Sequence, residues 1–207
     1  MTDCCSEAAC EIEKLRERQY GTLKWVFIIN TVMFSVELVA GLLASSTALL
    51  ADSLDMLGDS ISYSLSLYVV AKSDRWKALS AIIKGSIMAF FGLFVLGQAV
   101  FKILNPAVPI YETIGIIGLI ALAANAFCLF LLWKHKEEDI NMRSVWLCSR
   151  NDIIANVSVL GAAAGVWFTK EQWPDILVGI AIAVLFLSTS IHVLREAVAM
   201  KSASSEG

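Results

Sequence analysis

Six long apolar stretches follow one another along the chain, at residues 23–43, 47–71, 79–104, 110–133, 145–169 and 176–200, with short polar connections between them. Crossing about 30 Å of hydrocarbon takes about 20 helical residues, and each stretch reaches that length. A membrane β-barrel would instead show short segments with every second residue apolar, a pattern the chain lacks. Only 3 prolines and 12 glycines interrupt it, so long helices are permitted. The pattern predicts an all-α protein, a six-transmembrane-helix bundle.

Composition agrees, because 57% hydrophobic and 17% charged residues are too apolar and too charge-poor for an ordinary soluble domain. The net charge of -3 comes without any basic block, so nucleic acid is not an expected partner and the lipid bilayer is. Placement of charge says more than its sum. Alternate loops divide the basic residues unequally: Lys14, Arg16, Arg18, Lys24, Lys72, Arg75, Lys77, Lys134, Lys136, Arg143, Arg195 and Lys201 fall on one side, and only Lys102 and Lys170 on the other. Basic loops stay on the cytoplasmic face, which predicts both termini inside and a multi-pass protein of the cell (inner) membrane. Trp25, Trp76, Trp133 and Trp173 fall near span ends, as interfacial anchors do.

The opening run MTDCCSEAACEIEKLRERQYG puts acids and cysteines where a signal peptide needs a basic segment followed by an apolar one. Insertion is therefore expected to be directed by the first span. With no internal repeat or low-complexity run, the chain divides into a cytoplasmic cysteine-containing segment at 1–21, a transmembrane domain at 22–200 and a short cytoplasmic tail at 201–207, with no soluble domain expected beyond it. Cys4, Cys5, Cys10, Cys128 and Cys148 do not form the framework of a disulfide-stapled secreted protein.

Ionised side chains are costly within a bilayer, so intramembrane acids need pairing, protonation or a cation. The second span, in LLADSLDMLGDS, holds three. Asp55 and Asp59 are four apart, about 6 Å along one helical face, and Asp52 shares that side. In the fifth span, VWLCSRNDIIANVSVL, Cys148 and Asp152 form another pair four apart. Three carboxylates and one thiolate make a tetrahedral set suited to zinc or cadmium, and sulfur argues against magnesium or calcium.

Other readings of these residues stay open. Asp152 with Asn156 is an equally spaced pair offering an amide oxygen, while Cys148 alone suits a small buried hydrophobe and Asn156 a helix-packing hydrogen bonder. The acids of the second span could meet water in a loop or pair with Lys84 and Arg150. Glu37 and Asn125 are candidates for a secondary metal site or a buried polar network together with Asp52 and Asn156. His135 and His192 form no cluster. Cys4, Cys5 and Cys10 suit either an amino-terminal soft-metal site or a tail with spare thiols. No HExxH or GxSxG arrangement marks a hydrolase, and nothing calls for a prosthetic group.

The run FSVELVAGLLASSTALLADSLDMLGDS resembles the first and second spans of the cation diffusion facilitators, with Asp55 and Asp59 at the places of that family's HxxxD or DxxxD pair. SRNDIIANVSVLGAAAG looks like its fifth span and QWPDILVGIAIAVLFL like the start of its sixth. Cys148 stands where the family's usual histidine does, and the family's carboxy-terminal cytoplasmic domain and histidine-rich loop have no counterpart in the sequence. The resemblance implies a secondary transporter rather than an enzyme: efflux of Zn2+ or Cd2+ by proton antiport with alternating access, in a homodimer. Small residues of the third span, Gly85, Ser86, Ala89 and Gly92, would allow close helix approach within or between protomers. Alternatives are a transporter of Co2+, Fe2+ or Mn2+, or a membrane metal sensor without net transport.

A soft-metal site at Cys4, Cys5 and Cys10 predicts that a chain beginning at Glu11 binds cadmium more weakly in equilibrium titrations and exports it more slowly. Equal affinity and rate for the two chains would deny those thiols a part.

Overall fold

A computed structural model describes the backbone of residues 3–69, 74–134 and 140–203, and the side chains of residues 20–61, 64, 79, 82–83, 85–134, 146, 149–150 and 152–195. Six helices follow in order: α1 (Asp3–Leu43), α2 (Thr47–Val69), α3 (Asp74–Leu104), α4 (Tyr111–Trp133), α5 (Ile140–Thr169) and α6 (Trp173–Ala203). There is no strand among the described residues. The starts and ends lie near the expected spans, except that α1 begins twenty residues before the apolar run and carries the cysteine-bearing segment as continuous helix. The side chains of Cys4, Cys5 and Cys10 lie outside the described residues.

Among the described residues, five helices are long and apolar enough to cross a membrane, through segments Tyr20–Leu43, Gly85–Leu104, Tyr111–Trp133, Asp152–Thr169 and Trp173–Arg195. They turn large apolar side chains outward, among them Phe90, Leu93, Leu119, Phe130, Phe168 and Leu185. That is the surface a hydrocarbon solvent requires. α2 is the exception. It is as long as α4, at 23 residues, but it carries three aspartates, and none of its residues from 47 to 60 is exposed.

Every residue from Ser46 to Leu54 is buried. α2 packs chiefly against α1, α6 and α3, and also touches α5. Leu49, Leu50, Ala51 and Leu54 form the centre of the main core with Met88 and Val95 of α3, Val159 and Ala162 of α5, and Ile182, Ala183 and Phe186 of α6. The two other extensive pairings are α3 with α6 and α4 with α5. Gly85 and Gly92 of α3 receive Leu194 and Leu187 of α6, so this part of the small-residue stripe is used within the chain. Ser86 is exposed and Ala89 half-buried.

The reversal from α1 to α2 takes three residues. Ser45 adopts a left-handed φ of 51°. The Ser46 amide then donates to the Gly41 carbonyl at 2.8 Å and the Ser45 amide to Leu42 at 3.3 Å, the pair of bonds that closes a helix in a Schellman turn. The turn presents the start of α2 to Asp175 in the first turn of α6, a carboxylate with no exposed surface. Asp175 accepts from the Ser46 hydroxyl at 2.5 Å, the Thr47 amide at 2.6 Å and the Ala48 amide at 3.2 Å. It satisfies amide donors that no helical carbonyl can reach, and the helix dipole favours its charge there.

Lys102, at the end of α3 and 7% exposed, donates to the Thr47 hydroxyl at 3.1 Å and feels the charge of Asp175. Gln172 donates to the Lys102 carbonyl at 3.1 Å and accepts from the Ala107 amide at 3.0 Å. The start of α2, the end of α3 and the start of α6 are thereby joined in one buried polar clasp. Its charged hydrogen bonds each contribute about 1.5–3 kcal/mol.

The clasp depends on close approach of α6 to α2. A methyl group at Gly179 would stand 2.7 Å from the Thr47 carbonyl carbon and oxygen, backbone atoms that cannot swing aside. Gly179→Ala is expected to destabilise the fold by about 1–3 kcal/mol through overpacking, measured by thermal unfolding in detergent. At Gly97 nothing lies within 4 Å, so Gly97→Ala is expected to be neutral or to stabilise by about 0.5–1 kcal/mol as helix propensity improves.

Candidate metal centre between the second and fifth helices

At 100° per residue, Asp52, Asp55 and Asp59 occupy an arc of about 60° on α2. Gly58, about 90° round the helix from the middle of that arc, has the Phe186 ring of α6 packed against it. The acids therefore lie to the side of that α6 contact. Asp52 has no exposed surface, and Asp55 and Asp59 are partly buried.

Across from them, α5 supplies Asp152, 7% exposed, and Asn156, with no exposed surface. The carboxyl groups of Asp55 and Asp152 come within hydrogen-bonding reach of each other. Two carboxyl groups this close form a hydrogen bond only when one of them carries a proton for the other to accept. One turn away, the Asn156 amide donates to Oδ1 of Asp52 at 3.4 Å and to the Asp152 carbonyl at 2.8 Å. Because α2 and α5 run antiparallel, these contacts are successive rungs: residue 52 opposite 156, and residue 55 opposite 152. The same register sets position 148 opposite Asp59. The side chain of Cys148 lies outside the described residues.

Glu37 of α1 is completely buried, and neither of its carboxylate oxygens has a hydrogen-bond partner. The carboxylates it feels are Asp52 first and Asp55 second. Asn125 of α4 is 1% exposed, with its Nδ2 unpartnered. One turn farther along α4, Cys128 is 1% exposed and within electrostatic reach of Asp59 and Asp152. The sequence reading did not single out Cys128. The available signal was its position three residues after Asn125, which places both on one face of α4.

Arg150 is exposed and lies over the Trp146 ring, 5.7 Å from its centroid, so its guanidinium is turned from the buried acids. The Lys84 and His135 side chains lie outside the described residues, and His192 is exposed on α6. Among the described residues, no three Asp, Glu, His or Cys side chains already converge on one coordination point. The described arrangement is a ladder of polar pairs between two helices, with acceptor oxygens in excess.

The description cation efflux transmembrane domain belongs to a protein family whose pattern matches residues 23–200, which takes in all six helices and the whole ladder. The chain belongs to this family. It is a multi-pass membrane protein, as the apolar helices independently indicate. Among similar proteins, a cadmium, cobalt and zinc/H(+)-K(+) antiporter of Bacillus subtilis (strain 168) is 26% identical over 198 residues, covering 86% of this chain and 63% of the relative. A zinc transporter, ZitB, of Yersinia pestis is 28% identical over 183 residues, 82% of this chain and 59% of its own. The metal cation efflux system protein CzcD of Cupriavidus metallidurans (strain ATCC 43123 / DSM 2839 / NBRC 102507 / CH34) is 22% identical over 198 residues, 86% and 62%. The chain thus spans about 60% of the length of these relatives.

The register between α2 and α5 makes a geometric prediction. Cysteines placed together by Asp55→Cys and Asp152→Cys should cross-link on mild oxidation, read by mass spectrometry of the joined peptides. The pair Asp59→Cys and Asn156→Cys, two rungs apart, should not. The reverse result would overturn the register.

Proposed function

We propose that this chain moves a divalent transition-metal ion, Zn2+ or Cd2+ first, out of the cytoplasm in exchange for protons, with Asp55, Asp59, Cys148 and Asp152 as its ligands. The observation that carries this reading is the buried contact between Asp55 and Asp152, two acids from different helices brought together inside the membrane domain. Two carboxylates in contact repel unless a proton or a cation lies between them. The relatives, a cadmium, cobalt and zinc/H(+)-K(+) antiporter and a zinc transporter among them, favour the cation.

Metal binding needs deprotonated ligands and releases protons. An ion entering from the cytoplasm displaces the proton shared by Asp55 and Asp152, and draws in Asp59 and the residue opposite it. Protons arriving from the other side then displace the ion once the site has opened there. Rocking of helices about a site near the midplane provides the alternation. Both termini lie in the cytoplasm by the distribution of basic residues, and the working unit is a homodimer. The metal is cargo, and no prosthetic group takes part.

The test is flux of Zn2+ and Cd2+ into proteoliposomes with and without a pH gradient. Asp55→Ala and Asp152→Ala should each lower flux by about 100-fold, at the upper end of the effects seen when metal-site residues are altered, and transport at the wild-type rate by either would refute the site. Cys148→Ser should lower cadmium affinity more than zinc affinity. A small change there with a severe loss in Asn156→Ala would move the fourth ligand to the amide. Equilibrium binding without flux would instead identify a sensor, and competition by Co2+, Fe2+ and Mn2+ ranks the ions.

A further inference from the structure

The Asp55 and Asp152 pair does not account for all the buried acceptors of the bundle. On the next rung toward the α1–α2 turn, about 5 Å along the helix axes, Asp52 faces Asn156, with Glu37 of α1 as the acid that interacts with it. All three side chains are sealed from the surface. Four of their oxygens have no hydrogen-bond donor: both of Glu37, Oδ2 of Asp52 and Oδ1 of Asn156. The side-chain NH2 of Asn156 is already committed, donating to Asp52 and to the Asp152 carbonyl.

An acceptor without a donor in a dry interior keeps its desolvation cost and gains nothing for the fold. Three helices each contribute such a group to one level of the bundle, and what the group lacks is positive charge. We propose that Glu37, Asp52 and the side-chain oxygen of Asn156 form a second divalent-cation station, one helical turn beyond the Asp55–Asp152 pair toward the α1–α2 turn. This inference rests on the transport reading above.

The donor set decides what the station holds. Two carboxylates and an amide are all hard oxygen ligands, whereas the first site includes the thiol position at 148. Hard oxygen donors suit Mn2+ and bind the softer Cd2+ less well. A soft ion leaving the first site thus meets a weaker station before the far end of the helices, which favours release over rebinding.

The probe is Mn2+, followed by electron paramagnetic resonance with the full chain in detergent. Two bound ions are expected in the wild type and one in Glu37→Gln. With Asp55→Asn and Asp152→Asn combined, one ion should remain, and adding Glu37→Gln or Asp52→Asn should weaken it by at least about tenfold. The single near-isosteric change Glu37→Gln gives the same readout if the multiple variants fail to fold. One ion in the wild type, or a second ion indifferent to both Glu37→Gln and Asp52→Asn, overturns the station and leaves Glu37 a structural carboxyl. Loss of vesicle flux in Asp55→Ala and Asp152→Ala, alongside that result, would leave the transport reading standing without it. Binding of both Mn2+ ions by a chain that moves no metal would do the opposite.

Discussion

A carboxylate in the middle of a bilayer has neither water nor counter-ion, and the energy of burying it exceeds what a few apolar contacts return. This chain has four acids at that depth on α1 and α2 and one on α5, and its architecture follows from sheltering them. The aspartate-bearing helix is set inside the bundle, where α1, α3, α5 and α6 separate it from lipid. The five remaining helices keep the apolar exteriors that a bilayer demands. Burial of α2 on every side from Ser46 to Leu54 encloses Asp52 completely, and a dry site strengthens every interaction with a proton or a metal.

Holding such a helix in place takes more than apolar packing, which resists sliding along the axis only weakly. The clasp at the start of α2 supplies that resistance. Asp175 binds the first amides of α2, Lys102 binds Thr47, and the left-handed turn at Ser45 leaves no slack between α1 and α2. A displacement of α2 by one residue would break these bonds at one end and misalign the rungs with α5 at the other. The clasp and the ladder are therefore two ends of one constraint, although they lie in different parts of the bundle.

Membership of the cation efflux family gives this arrangement its chemical sense. Acceptor oxygens in excess of donors are a defect in a protein whose only task is to stay folded. On the transport reading proposed above they are the working groups, and the missing positive charge is the cargo or the proton exchanged for it. Cys128, buried on α4 near Asp59 and Asp152, adds a soft atom at the side of the ladder away from Glu37, so the donor character changes from one end to the other.

The run of apolar residues by itself determined the number of helices, their approximate ends and the membrane environment, since length and hydropathy are local properties that a bilayer reads directly. Spacing also put Asp55 with Asp59, and Asp152 with Asn156, on single helical faces. Local pattern stops at the single helix. That Asp55 meets Asp152 while Asn156 meets Asp52, that Glu37 comes to the same level, and that Arg150 turns outward to Trp146 depend on which helices pack together and in what register. In the sequence Asp175 had no role and Lys102 counted only among the few basic residues of one side, and only the fold brings both to the start of α2. The relations between helices are set by contacts between residues distant in the chain, such as Gly179 against Thr47, and no periodicity along one helix encodes the identity of its neighbour.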